Sequence, residues 1–136
     1  MPTDYAPEFQ LGEPVDEYKA ITCLLDSNSA AVAKGDFVTL KSSATTDPCP
    51  TVTASVKDDF AYGICMRAGT PGQYISVVRF GRVKATMWGT VAMGSSLLPH
   101  SQSTLYAVTT KTGFARAEAA MGCGDTGLVF ISGGVT

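Results

Sequence analysis

From residue 20 onward the sequence consists of short apolar runs separated by glycine, proline and small polar residues, and this spacing restricts the fold more than any other feature. Runs of about four to eight residues that are rich in β-branched and aromatic side chains are typical of strands. No amphipathic segment of about 10–15 residues, which a crossover helix would need, separates these runs. We therefore predict a mainly β protein. Its residues 20–136 should form a single compact β-tulip or β-barrel-like domain of short antiparallel strands.

The strands can be placed approximately from the apolar runs. The Ala-rich segment 114–121 contains residues that favour a helix, but it is short for a helix and bounded by glycines, so we prefer a strand there. The polar stretch 42–51 is predicted to be a loop. Residues 33–40 are predicted to be a Gly-Asp turn followed by a strand. The other predicted strands cover residues 20–25, 60–67, 74–81, 82–92, 104–110 and 126–134.

Two parts of this domain have a similar order of features. "AKGDFVTL" (33–40) and "AMGSSLLP" (92–99) both begin with Ala-x-Gly. Each is followed later by an apolar strand, a glycine-containing turn and a second strand that ends in glycine. Such an internal repeat predicts two similar β units that fold together.

Residues 1–19 differ in composition from the rest of the chain. They hold three of the seven prolines and five of the twelve acidic residues. Tyr5, Phe9 and Leu11 are spaced as on one face of an extended strand. We predict an extended N-terminal arm that becomes ordered against a partner through these three side chains. The alternative is a loose acidic tail, as many termini are.

Few residues could carry catalysis. The chain has four cysteines without a closely spaced pair and a single histidine, so we expect no metal site and no cofactor. Free thiols are expected for the cysteines, with two disulfides as the alternative. We interpret His100 as a solvated loop side chain rather than as part of a Ser-His-acid triad. No enzymatic activity is expected.

Two further patterns are interpreted as turns. "GCGDTG" (122–127) matches a dinucleotide-binding pattern, but that motif requires a following helix, and the apolar run after it indicates a strand. Asp58 and Asp59 would point to opposite faces of a strand, so they are better placed in a turn than in an acid–base pair.

Arg82, Lys84 and Trp88 are the candidate interface residues of the domain. Arg82 and Lys84 lie two apart, on one face of a strand, near Phe80. We favour a solvated strand face for them, then contact with a protein, then contact with a nucleic acid. The formal net charge of −2 argues against a general nucleic-acid binder. Trp88 is expected in the core first and at an interface second.

Three stretches of the chain share a recognisable order of strands and glycine turns, and a proline- and acid-rich segment precedes them. The stretches are "KGDFVTL" (34–40), "FAYGICMRAGTPGQYISVVRFGRVKATMWGTVAMGSSLLP" (60–99) and "FARAEAAMGCGDTGLVFISGG" (114–134). Together they resemble the head-decoration, or capsid cement, proteins of tailed phages.

The resemblance implies a virion structural protein without enzymatic activity. It implies a homotrimer, assembled in the host cytoplasm, that binds the major capsid protein on the outer surface of the head and stabilises contacts between capsid subunits. Neither a membrane nor a specific nucleic acid is an expected partner, and no run approaches the ~20 apolar residues of a membrane span. The alternatives are a small β-barrel nucleic-acid-binding protein and another virion component, a fibre or a stopper.

Overall fold

The computed structural model describes residues 2–41 and 49–132, and it folds them into strands without a helix. All nine strands belong to one sheet, so the prediction of a compact, mainly β domain is confirmed. The predicted loop 42–51 lies mostly outside the described residues. The strands are β1 (Pro14–Leu25), β2 (Phe37–Leu40), β3 (Thr51–Ala54), β4 (Gly63–Cys65), β5 (Tyr74–Thr86), β6 (Ser96–Pro99), β7 (Leu105–Val108), β8 (Ala115–Ala117) and β9 (Thr126–Ile131).

The first half of the sheet closes on itself. Its strand order is β1-β3-β2-β4-β5, and β1 also pairs with β5, which completes a ring. The pairing of β1 with β3 is parallel, whereas the other strand pairs are antiparallel, so the sheet is mixed rather than purely antiparallel. An apolar cluster fills this ring. Its fully buried members are Cys23, Leu25, Val38, Val52, Cys65 and Val77.

The second half repeats this arrangement with β5 as its first strand. The order from β5 is β9-β8-β6-β7, and a parallel bridge between Met87 and Leu105 brings β7 back beside the end of β5. β6 pairs with β7 and β8, just as β2 pairs with β3 and β4. The predicted pair of similar β units is therefore confirmed, and the two units share β5.

Equivalent hydrogen bonds identify equivalent residues in the two units. Gly35 donates its amide to the carbonyl of Cys65 at 2.9 Å, and Gly94 donates to that of Ala117 at 2.8 Å. The turn at residues 33–36 therefore corresponds to the turn at 92–95. We call the ring of β1–β5 the first unit and the half formed by β5–β9 the second unit.

One turn type recurs along the chain. The third residue is a glycine with φ between 73° and 89°, and the side chain of the fourth residue accepts a hydrogen bond from the amide of the first at 2.7–3.2 Å. Glycine is favoured because the type II turn needs a positive φ at this position. The interpretation of "GCGDTG" as a turn is thus confirmed. These turns span residues 10–13, 33–36, 70–73, 92–95 and 122–125.

Strand β5 corrects one boundary prediction. We predicted separate strands over 74–81 and 82–92, but a single strand of 13 residues runs from Tyr74 to Thr86. Gly81 has φ 129°, and the register with β1 shifts on either side of Lys19, near Phe80. The glycine bends the strand without ending it, as at a β-bulge.

The two units are joined by a second, larger apolar cluster. Phe37 of the first unit and Phe114 of the second are fully buried, and their rings meet edge to face with centroids 5.8 Å apart. Ala115 to Ala117 form strand β8, which confirms a strand within 114–121.

Cys23, Cys65 and Cys123 are free thiols. Burial raises the pKa of both Cys23 and Cys65 to about 12, so these two thiols are poor nucleophiles. Cys123 is exposed, and Cys49 is half-buried.

Candidate functional site

The N-terminal segment, residues 2–13, lies against its own domain. Thr3 donates its amide to Oδ1 of Asp125 at 2.6 Å, and Tyr5 donates its amide to the carbonyl of Thr126 at 2.9 Å. Ala6 is only 2% exposed. β1 then begins at Pro14, so it crosses the boundary that we predicted between the arm and the domain at residues 19 and 20.

Lys84 holds this segment in place. Its Nζ lies 2.6 Å from Oδ2 of Asp4 and donates to the carbonyl of Phe9 at 2.9 Å. The lysine is only 6% exposed. The prediction of a solvated strand face was therefore wrong for Lys84, because a partner some 80 positions away covers it, and sequence spacing does not report such a contact.

The three residues predicted to contact the capsid differ in exposure. Tyr5 is 49% exposed, whereas Phe9 and Leu11 are half-buried. Leu11 packs on Gly35, where an added Cβ would lie 2.7 Å from the Cβ of Leu11. In this arrangement Tyr5 offers the largest free surface of the three.

The attachment of residues 2–13 should depend on pH. The hydrogen bond from Lys84 lowers the pKa of Asp4 below its ordinary 3.8, and the Thr3 amide lowers the pKa of Asp125. A carboxyl whose pKa is lower in the folded state stabilises that state at pH values above its ordinary pKa. This stabilisation disappears as the pH falls through the folded-state pKa. We expect the segment to be protected at pH 7 and to lose protection below pH about 4.

Hydrogen exchange, corrected for the intrinsic rate at each pH, measures this effect. Protection factors in residues 2–13 should fall before those in β5. Equal loss in both regions would contradict the predicted local detachment.

Arg82 is paired within the chain. Its Nε lies 2.8 Å from Oε1 of Glu118, and its Nη1 lies 2.8 Å from Oδ2 of Asp16. These carboxylates, Glu118 first, raise the pKa of Arg82. The guanidinium is half-buried, and it connects β5 to residues of β1 and to Glu118, which follows β8.

Trp88 lies at the surface, so the expectation of a core residue was wrong. It is 49% exposed, whereas its neighbour Met87 is 1% exposed. Neighbouring residues of an extended chain point in opposite directions, so Met87 takes the inward position and Trp88 the outward one.

His100 is not a freely solvated loop residue, as we had interpreted it. Its ring is stacked on that of Trp88, with centroids 3.7 Å apart and planes 5° from parallel. The ring of Tyr106 meets His100 edge to face at 5.7 Å. We call these three residues the aromatic stack.

Asp58 supports one end of the aromatic stack. It accepts a hydrogen bond from the hydroxyl of Tyr106 and forms an ion pair with Lys111 at 2.8 Å, and Lys111, then Tyr106, lower its pKa. Asp58 has φ 70°, and it occupies the third position of a turn over residues 56–59, so its place in a turn is confirmed. A non-glycine residue in this conformation costs about 1–3 kcal/mol, and such residues cluster at functional sites.

Replacing Trp88 with alanine should lower the free energy of unfolding by about 1 kcal/mol, the value of a partly exposed aromatic pair. A buried aromatic residue would cost about 3–5 kcal/mol. Urea unfolding followed by circular dichroism measures the difference. A loss of unfolding free energy above about 3 kcal/mol, the lower limit for a buried ring, would contradict the surface position of Trp88.

A groove of about 330 Å³ is lined in part by Phe60 and Thr112, which follow closely on Asp58 and Lys111 in the chain. Phe60 and Phe130 give it apolar walls, and Phe130 packs edge to face on Phe80 at 5.1 Å. Arg116, exposed at the groove, donates to the carbonyl of Gly94. Sequence reasoning missed this groove, because its lining residues come from three distant segments. The full lining is Phe60, Thr112, Gly113, Ala115, Arg116, Phe130 and Ser132.

The described residues contain no group of three or more His, Cys, Asp or Glu side chains that could hold a metal ion. Within the same residues no helix is long and apolar enough to cross a membrane. The described surface does present exposed aromatic side chains, among them Phe60, Phe80 and Trp88, and aromatic residues are enriched at protein interfaces.

Comparison with known proteins shows a likeness of fold. No protein-family model matches the sequence, and no curated protein matches it. Among solved structures, the fold is similar to the crystal structure of the N base of head fiber gp8.5 in bacteriophage phi29. The TM-score is 0.63 at 12% sequence identity, over 86% of this chain and 96% of that chain. At this identity the likeness shows a shared fold.

Proposed function

We propose that this chain is a structural protein of a phage head. The observation that carries the proposal is the fold shared with the head fiber N base, since the likeness extends over nearly all of both chains. The resemblance of the sequence pattern to head-decoration proteins of tailed phages agrees with this assignment.

In its finer form, the proposal is a homotrimer that binds the major capsid protein on the outer surface of the head and stabilises contacts between capsid subunits. Residues 2–13 are already folded on their own domain, so the trimer would offer a preformed surface to the capsid. A preformed surface loses less conformational entropy on binding than a flexible arm does.

A head-fibre component is the second candidate, and the name of the structural neighbour favours it. In both candidates the domain binds the shell. They differ in whether it covers capsid subunit contacts or carries a projecting fibre.

Co-sedimentation with empty phage heads that lack this protein tests the proposal. Light scattering should give the mass of a trimer, and the trimer should pellet with the shells at a saturable ratio. Cryo-electron microscopy of the decorated shells would separate the two candidates. A chain that stays in the supernatant, together with a monomeric mass, would contradict the proposal.

A further inference from the structure

Two residues of the aromatic stack, Trp88 and His100, occupy positions that carry an ion pair in the first unit. Asp26 donates its amide to the carbonyl of Val52 at 2.9 Å, and Trp88 donates to that of Leu105 at 2.6 Å. Asp26 follows Leu25, which pairs in parallel with Val52, and Trp88 follows Met87, which forms a parallel bridge with Leu105. Trp88 is thus the counterpart of Asp26.

His100 is the counterpart of Lys41. Lys41 lies five residues after the end of the turn 33–36, and His100 lies five residues after the end of the equivalent turn 92–95. In the first unit Lys41 and Asp26 form an ion pair at 2.7 Å, and in the second unit His100 and Trp88 stack at 3.7 Å. Both contacts tie the end of one strand to the end of another. Because an ordinary ion pair is sufficient for this in the first unit, the fold does not require aromatic rings here.

A third pair of equivalent positions shows the same change. Lys34 is the second residue of the turn 33–36, where it donates to the side chain of Gln10. Its counterpart Met93 is 73% exposed, more than any other large hydrophobic residue described. Three charged positions of the first unit are therefore aromatic or apolar in the second, although Met93 lies before β6, at the opposite end of that strand from His100.

The stack has supporting contacts and lies beside a positive charge. Tyr106, which donates its hydroxyl to Asp58, meets His100 edge to face, so the indole of Trp88 packs on a ring that has a second aromatic contact. The Nζ of Lys57 lies over the ring of Tyr106, 5.7 Å from its centroid. Lys111 is paired with Asp58, so Lys57 is the cation that an incoming carboxylate would meet.

We propose that Trp88 and His100 form the centre of a protein-docking site on the second unit. Resting on the proposed function, the partner is the major capsid protein, which would present an apolar side chain against the indole and a carboxylate to Lys57. Trp and Tyr dominate the energetics of protein interfaces, and Met is enriched in them. An exposed ring that is already held in place loses little entropy when it is covered.

The double variant W88D/H100K tests this proposal, because it gives the second unit the ion pair of the first. We expect it to fold and to lose at least about 30-fold in affinity for shells, the change typical of a hot spot. The control is Leu40→Ser, which removes an apolar side chain of the first unit with 50% exposure and should leave shell binding unchanged. If the double variant does not fold, Trp88→Ala, which should cost only about 1 kcal/mol of stability, replaces it, with an expected loss of affinity of about 5–10-fold.

The outcomes distinguish a failure of the proposed function from a failure of the docking site. Wild-type protein that does not pellet with shells would overturn the proposed function and the docking site together. Wild-type protein that pellets, with folded variants that pellet equally well, would overturn the docking site alone. A variant that becomes monomeric while the wild type is a trimer would place the stack between copies of this chain, and so would also overturn the assignment to the capsid protein.

Discussion

Replacing Phe114 with alanine is expected to lower the free energy of unfolding by about 3–5 kcal/mol, the usual cost of removing a buried aromatic ring. Phe114 is fully buried and meets Phe37 edge to face at 5.8 Å. Because the pair joins the two units, the loss should weaken the whole domain. Against a total stability of about 5–15 kcal/mol, it would leave a large fraction of the protein unfolded at moderate urea concentration.

Phe80→Ala is the matched control for Phe114→Ala. Phe80 also has an edge-to-face partner, Phe130 at 5.1 Å, but it is 43% exposed. Its loss should cost about 1 kcal/mol. Urea denaturation of both variants measures the difference, and equal losses would contradict the assignment of Phe114 to the core between the units.

Gly63→Ala is expected to cost about 3 kcal/mol, since the new methyl group has no space. A Cβ at Gly63 would lie 2.3 Å from the carbonyl oxygen of Val78 and 2.5 Å from Cγ1 of Val77. Gly63 is in β4 and pairs with Val38 of β2. Strands β4 and β5 would have to separate, which would open the ring of the first unit.

The control for Gly63→Ala is Gly72→Ala. Gly72 has φ 88° and open space around it, so alanine there adds only the strain of a left-handed conformation, about 1–2 kcal/mol. Thermal unfolding ranks the two variants. A smaller loss at position 63 than at position 72 would show that β4 and β5 are not packed as closely as described.

Much of the fold could be predicted because its signals are local. Alternating apolar residues predicted strands at most of the observed positions, and the equivalence of residues 33–36 and 92–95 was visible in the Ala-x-Gly that opens both. The glycines on either side of 114–121 correctly indicated a strand there, although the segment contains residues that favour a helix. The boundary at Gly81 was wrong because a glycine in a strand bends it as readily as it ends it.

The candidate site could be predicted only in part. Trp88 was singled out, but Tyr106 and Phe60 were not, because nothing within a few residues of them indicates that they lie near His100 or line a groove. The predicted role of the N-terminal arm remains a prediction, although residues 2–13 have a place on their own domain.

By itself, the sequence determined the class of fold, the turns at 33–36 and 122–125 and the repetition of one β unit. These properties depend on backbone preferences and on the alternation of side chains over a few neighbouring residues. Only the tertiary structure decided that Lys84 is buried under Asp4 and that Trp88 stacks on His100 at the surface. The burial of a side chain depends on contacts between segments that are far apart in the sequence, and no local pattern of residues indicates those contacts.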